Sequence, residues 1–222
     1  VTLTDAGGTT NELETVTLNS IGLANTLATL TTSSVETTTL EVTGDQSLTV
    51  TNAIDAKIAT VDASAHTGTA TNITGTNTAT TYTGGSGADT FVAGTAADTI
   101  TSGAGNDIIT AGDGNDTVTL GAGNDSVASG AGTDTLTGGA GNDTFNMGTT
   151  DLTSVDTIAG GDGTDKIVHS AVVDADFTLV TGVETLQMAA TGSNTLAALA
   201  QAAGITKVDL ATDAAYTVSA SA

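Results

Sequence analysis

Residues 83–146 run as TGGSGADTF (83–91), AGTAADTIT (93–101), SGAGNDIIT (102–110), AGDGNDTVT (111–119), LGAGNDSVA (120–128), SGAGTDTLT (129–137) and GGAGNDTFN (138–146), the first starting one residue early. Asp89, Asp98, Asp107, Asp116, Asp125, Asp134 and Asp143 thus recur every nine residues, each closing a glycine-rich turn and each followed two residues later by an apolar side chain. Tandem self-similarity at a short fixed period marks a solenoid, in which a repeat buries its apolar residue only by stacking on its neighbours. A single G-x-G-x-D would be an ordinary polar turn; the tandem array is what gives the motif meaning.

The paired glycines allow turn conformations that a β-carbon resists, and they let main-chain carbonyls converge. Asp adds a hard anionic oxygen. Ca²⁺ takes about six to eight such ligands at about 2.3–2.6 Å, so one turn cannot saturate it and two turns must share an ion.

From Gly84 to Asn146 these residues resemble the RTX (repeats-in-toxin) family of secreted bacterial proteins. The resemblance implies an all-β, right-handed parallel β-roll or β-helix solenoid with short helical insertions, two repeats per coil and stacked turns 18 residues apart. It pairs Asp89 with Asp107, Asp107 with Asp125 and Asp125 with Asp143 on one edge, and Asp98 with Asp116 and Asp116 with Asp134 on the other. It also implies carbonyl ligands: Gly85 and Gly87 meeting Ser102 and Ala104; Gly94 and Ala96 meeting Ala111 and Asp113; Gly103 and Gly105 meeting Leu120 and Ala122. By the same arithmetic Gly112 and Gly114 meet Ser129 and Ala131, and Gly121 and Gly123 meet Gly138 and Ala140.

Five in-register Ca²⁺ sites follow. A sixth runs through Gly139, Gly141, Asp143, Gly160, Asp162 and Asp165, where GGDGTDKIV resumes the motif. Asp143 and Asp165 are 22 residues apart, four more than a coil, so a small loop containing Asp151 and Asp156 is expected between them. Ala93 and Ala96 replace the glycines of the G-G-x-G pattern, Ala96 at a position where every other rung keeps glycine, which makes the Asp98 site the weakest of the five.

The apolar member of the repeat extends further than the aspartates: Ile73, Tyr82, Phe91, Ile100, Ile109, Val118, Val127, Leu136 and Phe145 are all nine apart. Thr71 and Thr80 occupy the aspartate position in the two earliest rungs, so the solenoid is expected to begin with calcium-free coils that template the others. Upstream, TTLEVTGDQSLTV and AKIATVDAS alternate apolar and polar residues as half-buried strands do.

A second repeat flanks the nonapeptides. LETVTLNSIGLANTLATL (13–30) matches VETLQMAATGSNTLAALA (183–200), with Glu14 opposite Glu184 and Gly22 opposite Gly192. The match continues with Glu41, Val42, Asp45, Leu48 and Val50 opposite Asp209, Leu210, Asp213, Tyr216 and Val218. The expected organisation is a Thr-rich flank over 1–82, a calcium-binding roll over 83–168 and a second, truncated flank over 169–222, together a piece of a longer array. The one predicted helix is NTLAALAQAAG (194–204), with Gly204 as its stop.

Composition closes off other classes. Twenty-five acidic residues against Lys57, Lys166 and Lys207, with no Arg, give a net charge of −22, which excludes nucleic acid as a partner. Such a charge opposes compaction until a multivalent cation offsets it. There is no Cys for a disulfide or thiolate site, and no Pro; aromatic content of 2% argues against one large globular core. No run of apolar residues is long enough to span a membrane, and no signal peptide is legible at the start. His66 and His169 lack a ligand cluster and read as surface or turn residues, while Glu14, Glu36 and Glu184 read as a solvated strand face. No G-x-S-x-G, H-E-x-x-H or phosphate loop occurs, so no enzyme activity is expected.

Ion-linked folding is the expected mechanism: unfolded without Ca²⁺, closed in millimolar Ca²⁺ outside the cell, as RTX proteins exported by type I secretion behave. The acidic, Cys-free, Thr-, Ala- and Val-rich flanks are similar to RTX-containing surface-layer proteins of Gram-negative bacteria. That similarity implies a secreted, non-enzymatic component of a self-assembling cell-surface lattice whose partner is itself, anchored, for example to surface polysaccharide, by parts outside this chain. A calcium-rigidified adhesin stalk and the secretion module of an exoenzyme are the alternatives.

Overall fold

The computed structural model describes residues 2–5, 15–30, 38–69, 71–148, 151–153, 155–169, 177–188, 193–194, 204–210 and 217–218. The chain winds between two ten-stranded sheets, giving an all-β parallel solenoid of about eight turns. No α-helix occurs among the described residues; the predicted helix over 194–204 lies outside them except at its ends.

The first sheet stacks Thr15–Ser20, Thr38–Gly44, Ile58–Asp62, Thr81–Thr83, Thr99–Ala104, Thr117–Ala122, Thr135–Ala140, Thr157–Asp162 and Val180–Thr181 in that order, all parallel. Its remaining strand, Thr2–Asp5, pairs antiparallel with Thr15–Ser20 and covers the edge the solenoid would otherwise leave open. The second sheet stacks Asn25–Leu27, Leu48–Val50, Thr71–Thr74, Thr90–Val92, Ile108–Thr110, Ser126–Ala128, Thr144–Asn146, Lys166–His169, Thr185–Met188 and Lys207–Leu210.

Parallel sheets are ordinarily covered on both faces. Here only the inner face is covered, because each x-U-x strand places one apolar residue inward, β-branched or aromatic in every nonapeptide rung but that of Leu136, and most flank it with Thr, which tolerates the pleated outer surface. In-register stacking then turns the repeat into columns. In the first sheet Val16, Leu40, Val61, Tyr82, Ile100, Val118, Leu136, Ile158 and Val180 are aligned and buried. Facing them, Ile73, Phe91, Ile109, Val127, Phe145, Ile167 and Leu186 form the second column. Tyr82 and Phe91 stack across the interior, with centroids 4.3 Å apart. Each such side chain contributes about 1.5–3 kcal/mol by leaving water, which is how a chain so poor in aromatics holds a core.

The two flanking units share one internal pairing. Val16 aligns with Leu40 and Leu18 with Val42; in the second copy Leu186 aligns with Val208 and Met188 with Leu210. Asn25–Leu27 also stacks on Leu48–Val50, and Ser193–Asn194 on Thr217–Val218, but in a different register: Asn25 faces Leu48, whereas Asn194 faces Val218. The face is exchanged, however: Thr15–Ser20 lies in the first sheet and its counterpart Thr185–Met188 in the second.

Candidate metal centre

The turns stack along two edges, which separates the aspartates into the two expected series. On one edge, Asp89 N–H donates to Asp107 Oδ1 (2.7 Å), Asp107 to Asp125 (2.7 Å), Asp125 to Asp143 (2.9 Å) and Asp143 to Asp165 (2.8 Å). On the other, Asp98 donates to Asp116 (2.8 Å), Asp116 to Asp134 (3.0 Å) and Asp134 to Asp156 (2.8 Å). Every donor belongs to the earlier coil and every carboxylate to the later one.

Both ladders begin on threonine. Thr71 gives Asp89 Oδ1 its N–H and its hydroxyl, both at 2.7 Å, and Thr80 N–H reaches Asp98 Oδ1 at 2.6 Å. A threonine at the aspartate position can therefore start the stack while contributing no charge.

One oxygen of each carboxylate is thus used. The second oxygens of Asp98, Asp107, Asp116, Asp125, Asp134, Asp143 and Asp165 are buried and have no hydrogen-bond partner. A buried, unpaired acceptor is costly, and a column of charged ones more so. Burial accordingly pushes the carboxyls of Asp116, Asp125 and Asp134 up to about 6, against a smaller opposing pull from the N–H of the preceding coil. Asp98, Asp107, Asp143 and Asp165 are raised for the same reason.

Main-chain carbonyls meet these oxygens. A Cβ added to Gly138 would lie 2.4 Å from Asp143 Oδ2 and 2.3 Å from the carbonyl oxygen of Gly160, one coil later. At Gly84 the corresponding distances are 2.7 Å to Asp89 Oδ2 and 2.0 Å to Ser102 O. The glycine keeps this point free of carbon while an anionic oxygen and a carbonyl face it. Gly123 carries φ of +143°, and a Cβ there would sit 1.6 Å from Gly105 O, so only glycine allows the turns to approach this closely. Among the described residues no three His, Cys, Asp or Glu side chains gather around one point. An ion on these edges must draw its remaining ligands from carbonyls, which suits a hard, oxygen-preferring cation of high coordination number.

A family model for the RTX calcium-binding nonapeptide repeat matches residues 83–118, 110–145 and 153–171. The repeat segment belongs to the RTX family. RTX nonapeptide repeats bind Ca²⁺. No curated protein and no solved structure matches the chain.

The residues of this RTX roll fit the ion. Asp107, Asp125 and Asp143 on one edge and Asp98, Asp116 and Asp134 on the other would hold it, with carbonyls of the intervening glycine turns. Bound Ca²⁺ would supply positive charge to oxygens that the protein leaves without donors.

The remaining candidates fall in different places. Asp113 and Asp162 have exposed side chains; their main chains lie in the turns, Asp113 N–H donating to Gly94 O (3.1 Å) and Asp162 O accepting from Gly141 N–H (2.8 Å). Gly85, Gly87 and Gly94 lie outside the left-handed region, which the glycines enter in pairs only from Gly103 and Gly105 onward. The first RTX turns therefore differ in backbone from the later ones. At the start of the ladder Asp89 Oδ2 already accepts Gly85 N–H at 3.0 Å.

Several residues depart from the sequence expectation. Asp156 is a buried rung, not merely a loop residue: its Oδ1 receives Asp134 N–H, and its Oδ2 is satisfied by Thr153 N–H (2.7 Å) and hydroxyl (2.9 Å). The signal was Asp156-Thr157-Ile158, the D-x-U of the repeat without its glycines. His66 and His169, expected as surface or turn residues, are 0% and 1% exposed, so neither lies at the surface. His66 Nε2 lies 2.8 Å from Gln46 O inside a solenoid corner, and His169 follows Ile167 at the next inward position, aligned with Met188. Glu184, expected on a solvated face, accepts Asp165 N–H at 2.7 Å; Glu14 and Glu36 lie outside the described residues.

A further series was missed. Asn124 N–H donates to Asn106 Oδ1 (2.8 Å), Asn142 to Asn124 (2.7 Å), Thr164 to Asn142 (2.7 Å), and on the other edge Thr133 to Asn115 (2.9 Å). These exposed amides run opposite to the aspartates, the later coil donating to the earlier. Asn directly before the repeat Asp was the visible signal.

Proposed function

We propose that this chain is the calcium-closed part of a secreted structural protein of the bacterial surface, exported unfolded and assembled with copies of itself into a surface layer. The observation that carries the folding half is the double column of buried carboxylate oxygens without donors: without a cation the coils repel, and with it they lock. Five sites follow from the in-register pairs, and a sixth from Asp143 with Asp165.

The assembly half is supported by the flanking units, whose strand pairing recurs on both sides of the roll. A recurring stackable unit suits an extended protein whose task is to build, and the charge of −22 suits one that matures in calcium-rich surroundings. RTX repeats are typical of secreted proteins, and among the described residues no helix is long and apolar enough to cross a membrane.

Electron microscopy of the full-length protein tests the reading. Two-dimensional crystalline sheets that form in millimolar Ca²⁺ and dissolve in chelator are the expected result. Isolated filaments or cell-tethered fibres would sink the lattice in favour of a stalk.

A further inference from the structure

The aspartate ladder on the first edge does not stop at the last nonapeptide. Asp165 N–H donates to Glu184 Oε2 at 2.7 Å, the bond that every earlier rung makes to an aspartate. Glu184 lies outside the residues matched by the repeat family. Its turn is also shorter. The aspartate of a nonapeptide stands five residues after the first position of its turn, as Asp165 does after Gly160, whereas Glu184 follows Gly182, the residue at that position, by two. The extra methylene of glutamate spans the missing reach.

Two further features of a nonapeptide site recur here. Asp165 is fully buried, and its Oδ2 has no hydrogen-bond partner. A Cβ added to Gly160 would lie 2.5 Å from that oxygen and 1.8 Å from the carbonyl oxygen of Gly182. The same pairing of an unpartnered carboxylate with the next coil's carbonyl surrounds Gly138. The last rung of the other edge shows the contrast: Asp156 Oδ2 takes two donors from Thr153, so that carboxylate is closed by the protein itself.

We infer that Asp165 Oδ2, the Gly182 carbonyl and the Glu184 carboxylate form an additional site for a hard divalent cation, Ca²⁺ in this roll, that closes the end of this edge beyond the nonapeptide array. The inference rests on the calcium-binding reading above. The site fixes the first coil of the following flank to the roll, since Thr206 and Lys207 N–H both donate to the Glu184 carbonyl.

Counting ions per chain tests it, by native mass spectrometry and calorimetric Ca²⁺ titration of the whole chain. Glu184→Gln keeps an oxygen for Asp165 N–H and removes the charge. It is expected to bind one Ca²⁺ fewer than the wild type, or to bind that ion at least about tenfold more weakly, with the other sites and the β signal unchanged. Glu41→Gln, at an exposed carboxylate that accepts the Thr17 hydroxyl (2.9 Å), should leave the count unaltered. An equal count and affinity in Glu184→Gln overturns the site while leaving the nonapeptide sites standing; a wild type that binds no Ca²⁺ overturns both. Should Glu184→Gln fail to fold, Glu184→Asp, charged but one methylene too short, gives the same reading: one ion fewer supports the site, and an unchanged count sinks it.

Discussion

Asp125 N–H donates to Asp143 Oδ1 at 2.9 Å, across 18 residues of sequence, while Asp125 Oδ1 receives the same bond from Asp107. Each inner aspartate is therefore both a rung of a hydrogen-bonded ladder and the owner of a second, unpaired oxygen. Replacing it with asparagine keeps the first role and removes the charge needed for the second. Asp125→Asn should raise the calcium midpoint of folding by about tenfold or more and make the transition less steep, measured by far-UV circular dichroism in a Ca²⁺ titration. An unchanged midpoint would mean that Asp125 holds no ion.

Protons should partly stand in for calcium. The metal-free roll holds Asp116, Asp125 and Asp134 at about 6, above the ordinary carboxylate value of roughly 3.9. The folded form therefore binds protons more tightly than the unfolded chain. Their stabilising contribution is complete below about pH 4 and is lost as pH rises through about 6. In chelator the β signal should be larger near pH 4.5 than at pH 7.5; the affinity of the already folded roll for Ca²⁺ should weaken as pH falls below about 6, because protons compete for the same oxygens. A chelated chain with no change of signal across this range would contradict the burial of these groups.

Gly123→Ala places a Cβ 1.6 Å from Gly105 O at a φ of +143°, so neither the residue nor its neighbour can yield cheaply. A loss of more than about 1–3 kcal/mol is expected in saturating calcium, seen as a lower thermal midpoint. A midpoint matching the wild type would show that the turns stack less closely.

Asn124→Ala separates the exposed ladder from the buried one. It deprives Asn142 N–H of its acceptor, but water can replace it there. The cost should be about 0.5–1.5 kcal/mol, with the number of bound ions unchanged. Loss of an ion in this variant would assign the amide to the metal coordination.

Much of this architecture was legible because the nonapeptide period is strict. It fixes the aspartate position and the first apolar residue after it, and in-register stacking then aligns them from coil to coil. What remained hidden sits where residue identity varies while geometry does not. The second inward position is Ser102, Leu120, Ser129, Gly138, Met147 or His169, all buried, and no single chemical type marks it. His169 lies inside for that positional reason. Asp156 and Glu184 lacked the glycines that announce the other rungs, and only the register of neighbouring strands reveals what they do.

The buried ladder has a chemical direction. Cutting it between Asp125 and Asp143 would leave two unlike stumps: the leading one with an amide hydrogen and no acceptor, the trailing one with a carboxylate that has lost its donor. A roll of this kind resembles a filament with distinct plus and minus ends, to which a new coil can be added correctly in one orientation only. Two rolls brought together by the same end would face donor with donor or acid with acid, so the column permits head-to-tail continuation and penalises head-to-head joining.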